Sequence, residues 1–190
     1  MHVRAVLRDA YEAFLGDSAR WVQPEGRVPV DTLTRLVVTK LLYRYPSLRA
    51  MAWFRLGGAL KEIGIPGTSG WIQRRLLRLY GLELSTGIPV GRGLYIAHPV
   101  GCVLHATSIG ADVTVISNVT FGTRTDNAWP TIEDGARFGV GARVLGGIVI
   151  GAGASIGANA VVLHDVPSGV TAVGVPARIV VGSPVAASEA

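Results

Sequence analysis

The chain has 190 residues, of which 49% are apolar and only 16% charged. That balance excludes a disordered or solvating chain, and the length lets it bury about 70% of its unfolded surface without a disulfide or metal staple. One cysteine, Cys102, excludes an internal disulfide and a cysteine-based zinc cage, and no apolar run approaches the ~18 residues of a membrane span.

Charge divides the chain near residue 81. Residues 1–80 hold 13 Lys and Arg against 6 Asp and Glu, a net of +7, whereas residues 81–190 carry a net of −2. Solvated, Arg-rich helix faces account for this asymmetry, with peripheral contact to an anionic membrane as the sharper candidate. No aromatic–basic interleaving or nucleic-acid motif occurs, so nucleic acid is not an expected partner. Arg4, Arg8 and Asp9 interrupt any signal-peptide core, and the expected location is cytoplasmic.

The first 80 residues read as helices. Val3, Val6, Leu7, Ala10 and Phe14 follow the 3.6-residue period. Asp31 is the expected cap of a helix bearing Leu33, Leu36, Val37 and Leu41. Pro46 and Ser47 open another, with Leu48, Met51, Ala52, Leu56, Ala59, Leu60 and Ile63 on one face. A Gly- and Pro-rich loop is predicted over 64–70, then a helix from Trp71 to Tyr80 that ends at Gly81. Arg74, Arg75 and Arg78 form a basic stripe on that last helix, and no catalytic constellation is visible in the helical part.

From residue 88 a different period takes over. Apolar anchors recur every six positions: Val90, Ile96 and Cys102; then, after one extra residue, Ile109, Val115 and Phe121; then, past a break at 122–131, Ile132, Phe138, Val144, Ile150, Ile156 and Val162. Two positions before many of these anchors stands another apolar and mostly small residue, such as Ala136, Ala142, Ala154 or Ala160. Gly91, Gly110, Gly122, Gly139, Gly151 and Gly157 follow their anchors directly. Neither a helix nor an ordinary strand has a six-residue period. A short strand plus a corner does, three units make one triangular coil, and coils stack at the strand spacing of about 4.8 Å. Roughly four coils are expected from the repeat count.

The stretches 88–104, 107–123 and 162–180 resemble the hexapeptide-repeat acyltransferases, and within them the serine O-acetyltransferase family. The resemblance covers residues 83–180. It implies an α+β chain in which an N-terminal helical region, residues 1–81, precedes a left-handed parallel β-helix, residues 82–181, with a tail over 182–190. It also implies an acetyl-CoA-dependent O-acetyltransferase that works as a homotrimer with active sites between subunits.

The same resemblance distributes the roles. His98 matches the catalytic base; a neutral imidazole, titrating ordinarily near about 6.5, suits removal of a proton from an acceptor hydroxyl. Glu83 matches the carboxylate that orients this histidine, although the family residue is Asp. Ala97 stands where the serine enzymes carry another Asp. The break at 122–131 is read as a site loop, with Arg124, Asp126 and Trp129 as candidate acceptor-binding residues. In the serine enzymes that loop is longer and ends in Arg-His-Pro, and here Ala128-Trp129-Pro130 takes its place. Trp129 has two readings, stacking on a sugar or other flat ligand, or pinning the loop by burial. Thr123, Gly141, Ala142, Ala158 and Arg178 match positions that contact CoA, with Arg178 a candidate for its 3′-phosphate and Arg143 a weaker one.

His98, His105 and His164 are separated by 7 and 59 residues, which does not fit the zinc sites of carbonic anhydrases sharing this fold, and no metal is expected. Cys102 is read as a core filler. The acceptor implied by the family name is L-serine or a related small alcohol, while the loop departures point to a sugar or polysaccharide precursor. A non-catalytic β-helix scaffold is the alternative from another class. The tail lacks the terminal Ile by which serine enzymes engage a partner synthase, so no such complex is expected.

Overall fold

A computed structural model describes residues 2–23, 28–125 and 127–180. Four helices come first: α1 (His2–Val22), α2 (Arg35–Arg44), α3 (Pro46–Glu62) and α4 (Thr68–Tyr80). Asp31 does not cap α2. It lies in a separate 3-10 turn, Val30–Thr32, and Thr34 caps instead, its hydroxyl accepting the Val37 amide at 3.3 Å. Thr34 is the residue directly before the first helical position, where a side-chain oxygen meets an otherwise orphaned N–H. Pro46 opens α3 as predicted, its missing N–H costing nothing at the first helical position. The predicted loop is shorter than 64–70, because α4 already starts at Thr68 and takes in Ser69 and Gly70. Gly81 stops α4 with φ 62°, a conformation that only a residue without Cβ adopts freely.

The rest of the chain winds through three faces. The first carries β1 (Leu82–Leu84), β3 (Cys102–Leu104), β6 (Thr120–Gly122), β9 (Arg143–Leu145) and β12 (Val161–Val162), stacked in that order. The second carries β2 (Tyr95–Ile96), β5 (Thr114–Val115), β8 (Arg137–Phe138), β11 (Ser155–Ile156) and β13 (Thr171–Val173), and β14 (Arg178–Val180) pairs antiparallel with β13. The third carries β4 (Ser108–Ile109), β7 (Thr131–Ile132) and β10 (Val149–Ile150), extended at its two ends by the single bridges Val90–Ile109 and Ile150–Val166. All other strand pairs are parallel. Five rungs result, one more than the repeat count gave, because the column already begins at Leu82 and continues to Ala172.

The anchors fill the column. Ile96, Ile109, Val115, Phe121, Ile132, Phe138, Val144, Ile150, Ile156 and Val162 are all buried, and Phe121 meets Phe138 edge-on at 4.7 Å. Ala136, Ala142, Ala154 and Ala160 are fully buried in the small inward positions. The ladder corrects one anchor: Leu104, not Cys102, stacks on Phe121, and Cys102 stands opposite Leu82. The step from Ile96 to Leu104 therefore exceeds six residues, and the surplus forms a wide corner over 97–101. Tight corners elsewhere need glycine; a Cβ on Gly91 would lie 2.5 Å from the Ala111 nitrogen.

The helices are bolted to the first coil by a buried ion pair. Asp17 of α1 is 0% exposed and Arg55 of α3 only 9%. Arg55 donates to both Asp17 oxygens at 2.9 Å and to the carbonyls of Val90 and Gly91 at 2.7 and 2.6 Å. Asp17 Oδ1 also accepts the amides of Gly93 and Leu94 at 2.9 and 3.0 Å. Not every arginine of the basic half is solvated, then. Arg20 likewise donates to the Asp112 carbonyl and the Thr114 hydroxyl, and Arg75 lies over the rings of Trp53 and Trp71 at 4.3 and 5.5 Å.

Candidate active site

His98 sits in the wide corner between β2 and β3. Its amide donates to the Ile116 carbonyl at 2.8 Å, and its carbonyl accepts the Cys102 thiol at 3.6 Å. The backbone is thus fixed by two neighbours while the imidazole stands exposed. Beside it a cavity of about 740 Å³ opens between the helices and the coil, walled among others by Trp21, Tyr45, Ser47, Arg78 and Tyr95. Trp21 packs on Tyr45 and Tyr95 with ring centroids 4.4 and 4.8 Å apart, and Ser47 donates to the Ala97 carbonyl at 3.0 Å. The helical part therefore supplies one wall of the space in front of His98, a contribution the sequence did not disclose.

Glu83 is placed differently from expectation. Its Oε1 lies 2.8 Å from Nε2 of His105, so its carboxylate serves that ring and not His98. The reason is register. Glu83 stands opposite Val103 on the outward side of the first face, and His105 follows on the same side, whereas His98 lies beyond the preceding corner. The loop after β6 returns to the same place: the His105 and Trp129 rings are 5.2 Å apart, the Thr107 hydroxyl donates to the Trp129 carbonyl at 3.0 Å, and the Thr107 amide donates to the Pro130 carbonyl at 2.8 Å. Glu83, His105 and Trp129 thus form one cluster, and Trp129 remains 40% exposed. No pattern in the sequence pointed to this cluster, because its members meet only through the stacking of coils. Arg124 is exposed on the same loop, and Asp126 falls outside the described residues.

The residues matched to CoA contacts differ in availability. Ala158 and Arg178 are exposed and Thr123 is half-buried. Gly141 and Ala142 are buried, with their amides committed to the carbonyls of Ser117 and Gly139. Arg143 is turned onto the carbonyls of Asn118 and Gly141, which removes it from the phosphate candidates. His164 is exposed and shares a shallow depression of about 310 Å³ with Arg178. Among the described residues, no group of three His, Cys, Asp or Glu side chains is arranged to hold a metal ion, and no helix is long and apolar enough to cross a membrane.

A triangular column of hexapeptide coils with a helical N-terminal part defines the chain as a hexapeptide-repeat transferase, and the bacterial transferase hexapeptide model (six repeats) matches residues 130–164. A serine acetyltransferase of Helicobacter pylori (strain J99) is 37% identical over 145 residues, spanning 74% of this chain and 85% of the relative. One of Bacillus subtilis (strain 168) is 46% identical over 146 residues, 75% of this chain and 67% of the relative. Among solved structures, the soybean serine acetyltransferase apoenzyme superimposes with a TM-score of 0.77 at 28% identity, covering 90% of this chain and 69% of that one. A serine acetyltransferase in complex with CoA gives 0.75 at 29% identity, covering 93% and 75%. The chain belongs to the serine acetyltransferase family, an acyltransferase family, and its helical region followed by a left-handed β-helix is the fold of those structures.

Proposed function

We propose that the chain transfers the acetyl group of acetyl-CoA to the hydroxyl of L-serine or a related small alcohol, with His98 as general base. The hydroxyl oxygen attacks the thioester carbonyl while the imidazole takes its proton. The tetrahedral intermediate then collapses, the C–S bond breaks, and the imidazolium returns the proton to the departing thiolate. Backbone N–H groups polarise the thioester carbonyl during this step. The observation that carries the reading is His98 itself, exposed in a rigid corner at the mouth of a cavity large enough for a small acceptor, in a chain of this family. Thr123, Ala158 and Arg178 line the proposed CoA path along the outer surface of the coils, with Arg178 toward the 3′-phosphate. The working form is a homotrimer with its sites at the seams between subunits.

The test is thiol release from acetyl-CoA in the presence of L-serine. The His98→Ala variant is expected to lose roughly 10²–10⁴ in rate while keeping the far-ultraviolet circular dichroism of the parent. Undiminished turnover by the folded variant would end the assignment of His98.

A further inference from the structure

We propose that Arg78 is a specificity-determining residue of the acceptor site: its guanidinium holds the carboxylate of the acceptor in the cavity beside His98. The inference rests on the acetyl-transfer reading and narrows its acceptor to an alcohol that carries a carboxylate, as L-serine does.

Three observations carry it. First, Arg78 is carried next to the corner that bears His98. It lies in the last turn of α4, and the end of that helix is tied to the corner, because the Gly101 amide donates to the Gly81 carbonyl at 3.0 Å. A Cβ on Gly81 would stand 3.4 Å from Cα of Val100, so helix end and corner meet at the backbone. Second, Arg78 is uncommitted. Arg55 binds Asp17, Arg75 lies over Trp53, and Arg143 is turned onto backbone carbonyls. Arg78 is exposed and has neither an ion pair nor a hydrogen-bond acceptor among the described residues. Third, the cavity is positive and otherwise uncharged. No Asp, Glu or Lys faces it, and Arg78 is the one side chain there with a permanent charge. Trp21, Tyr45, Leu79 and Tyr95 make much of the remaining wall, and beside such groups an ion pair is stronger than in open water.

The acceptor's chemistry matches this wall. A guanidinium presents paired N–H donors to both oxygens of a carboxylate, which fixes the ligand's orientation as well as its place. In L-serine the hydroxyl is a short tether away from the carboxylate, so anchoring one end confines the other to the cavity that His98 borders. Trp21, in the same wall, carries an indole N–H that is buried without an acceptor, and a ligand oxygen is the kind of group that satisfies such a donor. A cation in the last turn of a helix also favours the helix dipole, but that role is blind to the acceptor, whereas a clamp rejects an analogue that lacks the clamped group.

The experiment measures kcat and KM for L-serine and L-serinamide with wild type, Arg78→Gln, Arg78→Lys and Arg74→Gln, and titrates L-serine into each protein by calorimetry. Arg74→Gln removes an exposed charge one turn away that does not face the cavity. Wild type is expected to prefer serine over serinamide in kcat/KM. Loss of the charge-assisted bonds in Arg78→Gln should raise the serine KM by about tenfold to a hundredfold, leave the KM for acetyl-CoA unchanged and abolish the preference over serinamide. Arg78→Lys should keep part of that preference, and Arg74→Gln all of it. Equal use of both acceptors by wild type would overturn the clamp, as would a serine KM that Arg78→Gln does not move. So would equal losses toward serine and serinamide, or a loss of the same size in Arg74→Gln. If wild type turns over neither acceptor, the acetyl-transfer reading fails and calorimetry decides the clamp: serine binding that Arg78→Gln removes sustains it, and serine binding that is absent or unaltered overturns it.

Discussion

Single residues show how this chain exposes one side chain and buries its near neighbour. His98 and Cys102 are a few positions apart and joined by a hydrogen bond, yet only the imidazole faces outward. Cys102 is fully buried, and burial pushes its thiol above the ordinary value, against the weaker pull of the backbone around Val119 and Asn118. A neutral, inaccessible thiol does not attack. The native protein should therefore leave an aromatic disulfide reagent uncleaved at pH 7 to 8 and titrate one thiol only after denaturation, a result read directly from absorbance. Asp17 is the other buried titrating group. Burial drives its carboxyl above the usual carboxylate range, while Arg55 and the amides of Leu94 and Gly93 pull it back. An Arg55→Met variant removes the counter-charge and the donors to the Val90 and Gly91 carbonyls, and should cost about 3–5 kcal/mol. An acid whose folded value exceeds its unfolded value makes stability fall as pH rises through that interval. The urea midpoint of the variant should accordingly be lower at pH 8 than at pH 5; an equal or higher midpoint at pH 8 would contradict this.

At the level of elements, the difference between what could and could not be read from the chain follows the range of the interactions. Each coil repeats a local pattern, so the anchors from Ile109 to Val162 announced their burial by period alone. The wide corner at 97–101 broke that period, and with it the assignment of Cys102 as an anchor in place of Leu104. Pro46 and Gly81 declared the start of α3 and the end of α4 through backbone constraints that act within a residue or two. The Asp17–Arg55 pair joins residues 38 apart, and its worth depends on how two helices meet the first coil. Glu83 and His105 meet only because one rung lies over the next. His98 was singled out through the resemblance of the stretch around it, and its place in an exposed corner follows from the coil. The wall that the helical part places before it was not legible, since Trp21 lies in α1, Tyr45 at the junction of α2 and α3 and Arg78 in α4, with no shared spacing.

The whole molecule is a short column with two different ends. Helices α3 and α4 close the first, with α4 packed on β1. A Cβ on Gly57 of α3 would fall 2.9 Å from both Ile72 and Thr86, which shows how closely that cover fits. At the other end β14 reverses direction and lies along β13 in register from Thr171–Val180 to Val173–Arg178. Parallel stacking has no intrinsic stopping point, and a bare final rung is a template for the backbone of another copy. The reversal acts as a terminator: a strand running the wrong way cannot seed the next turn. A chain cut after Gly174 should lose that stop and grow end to end into filaments, visible as rising light scatter and fibres by electron microscopy. Particles of unchanged size after truncation would show that termination lies elsewhere. On this account one antiparallel strand closes the second face of the described column, and end-to-end pairing along that face is the fate it averts.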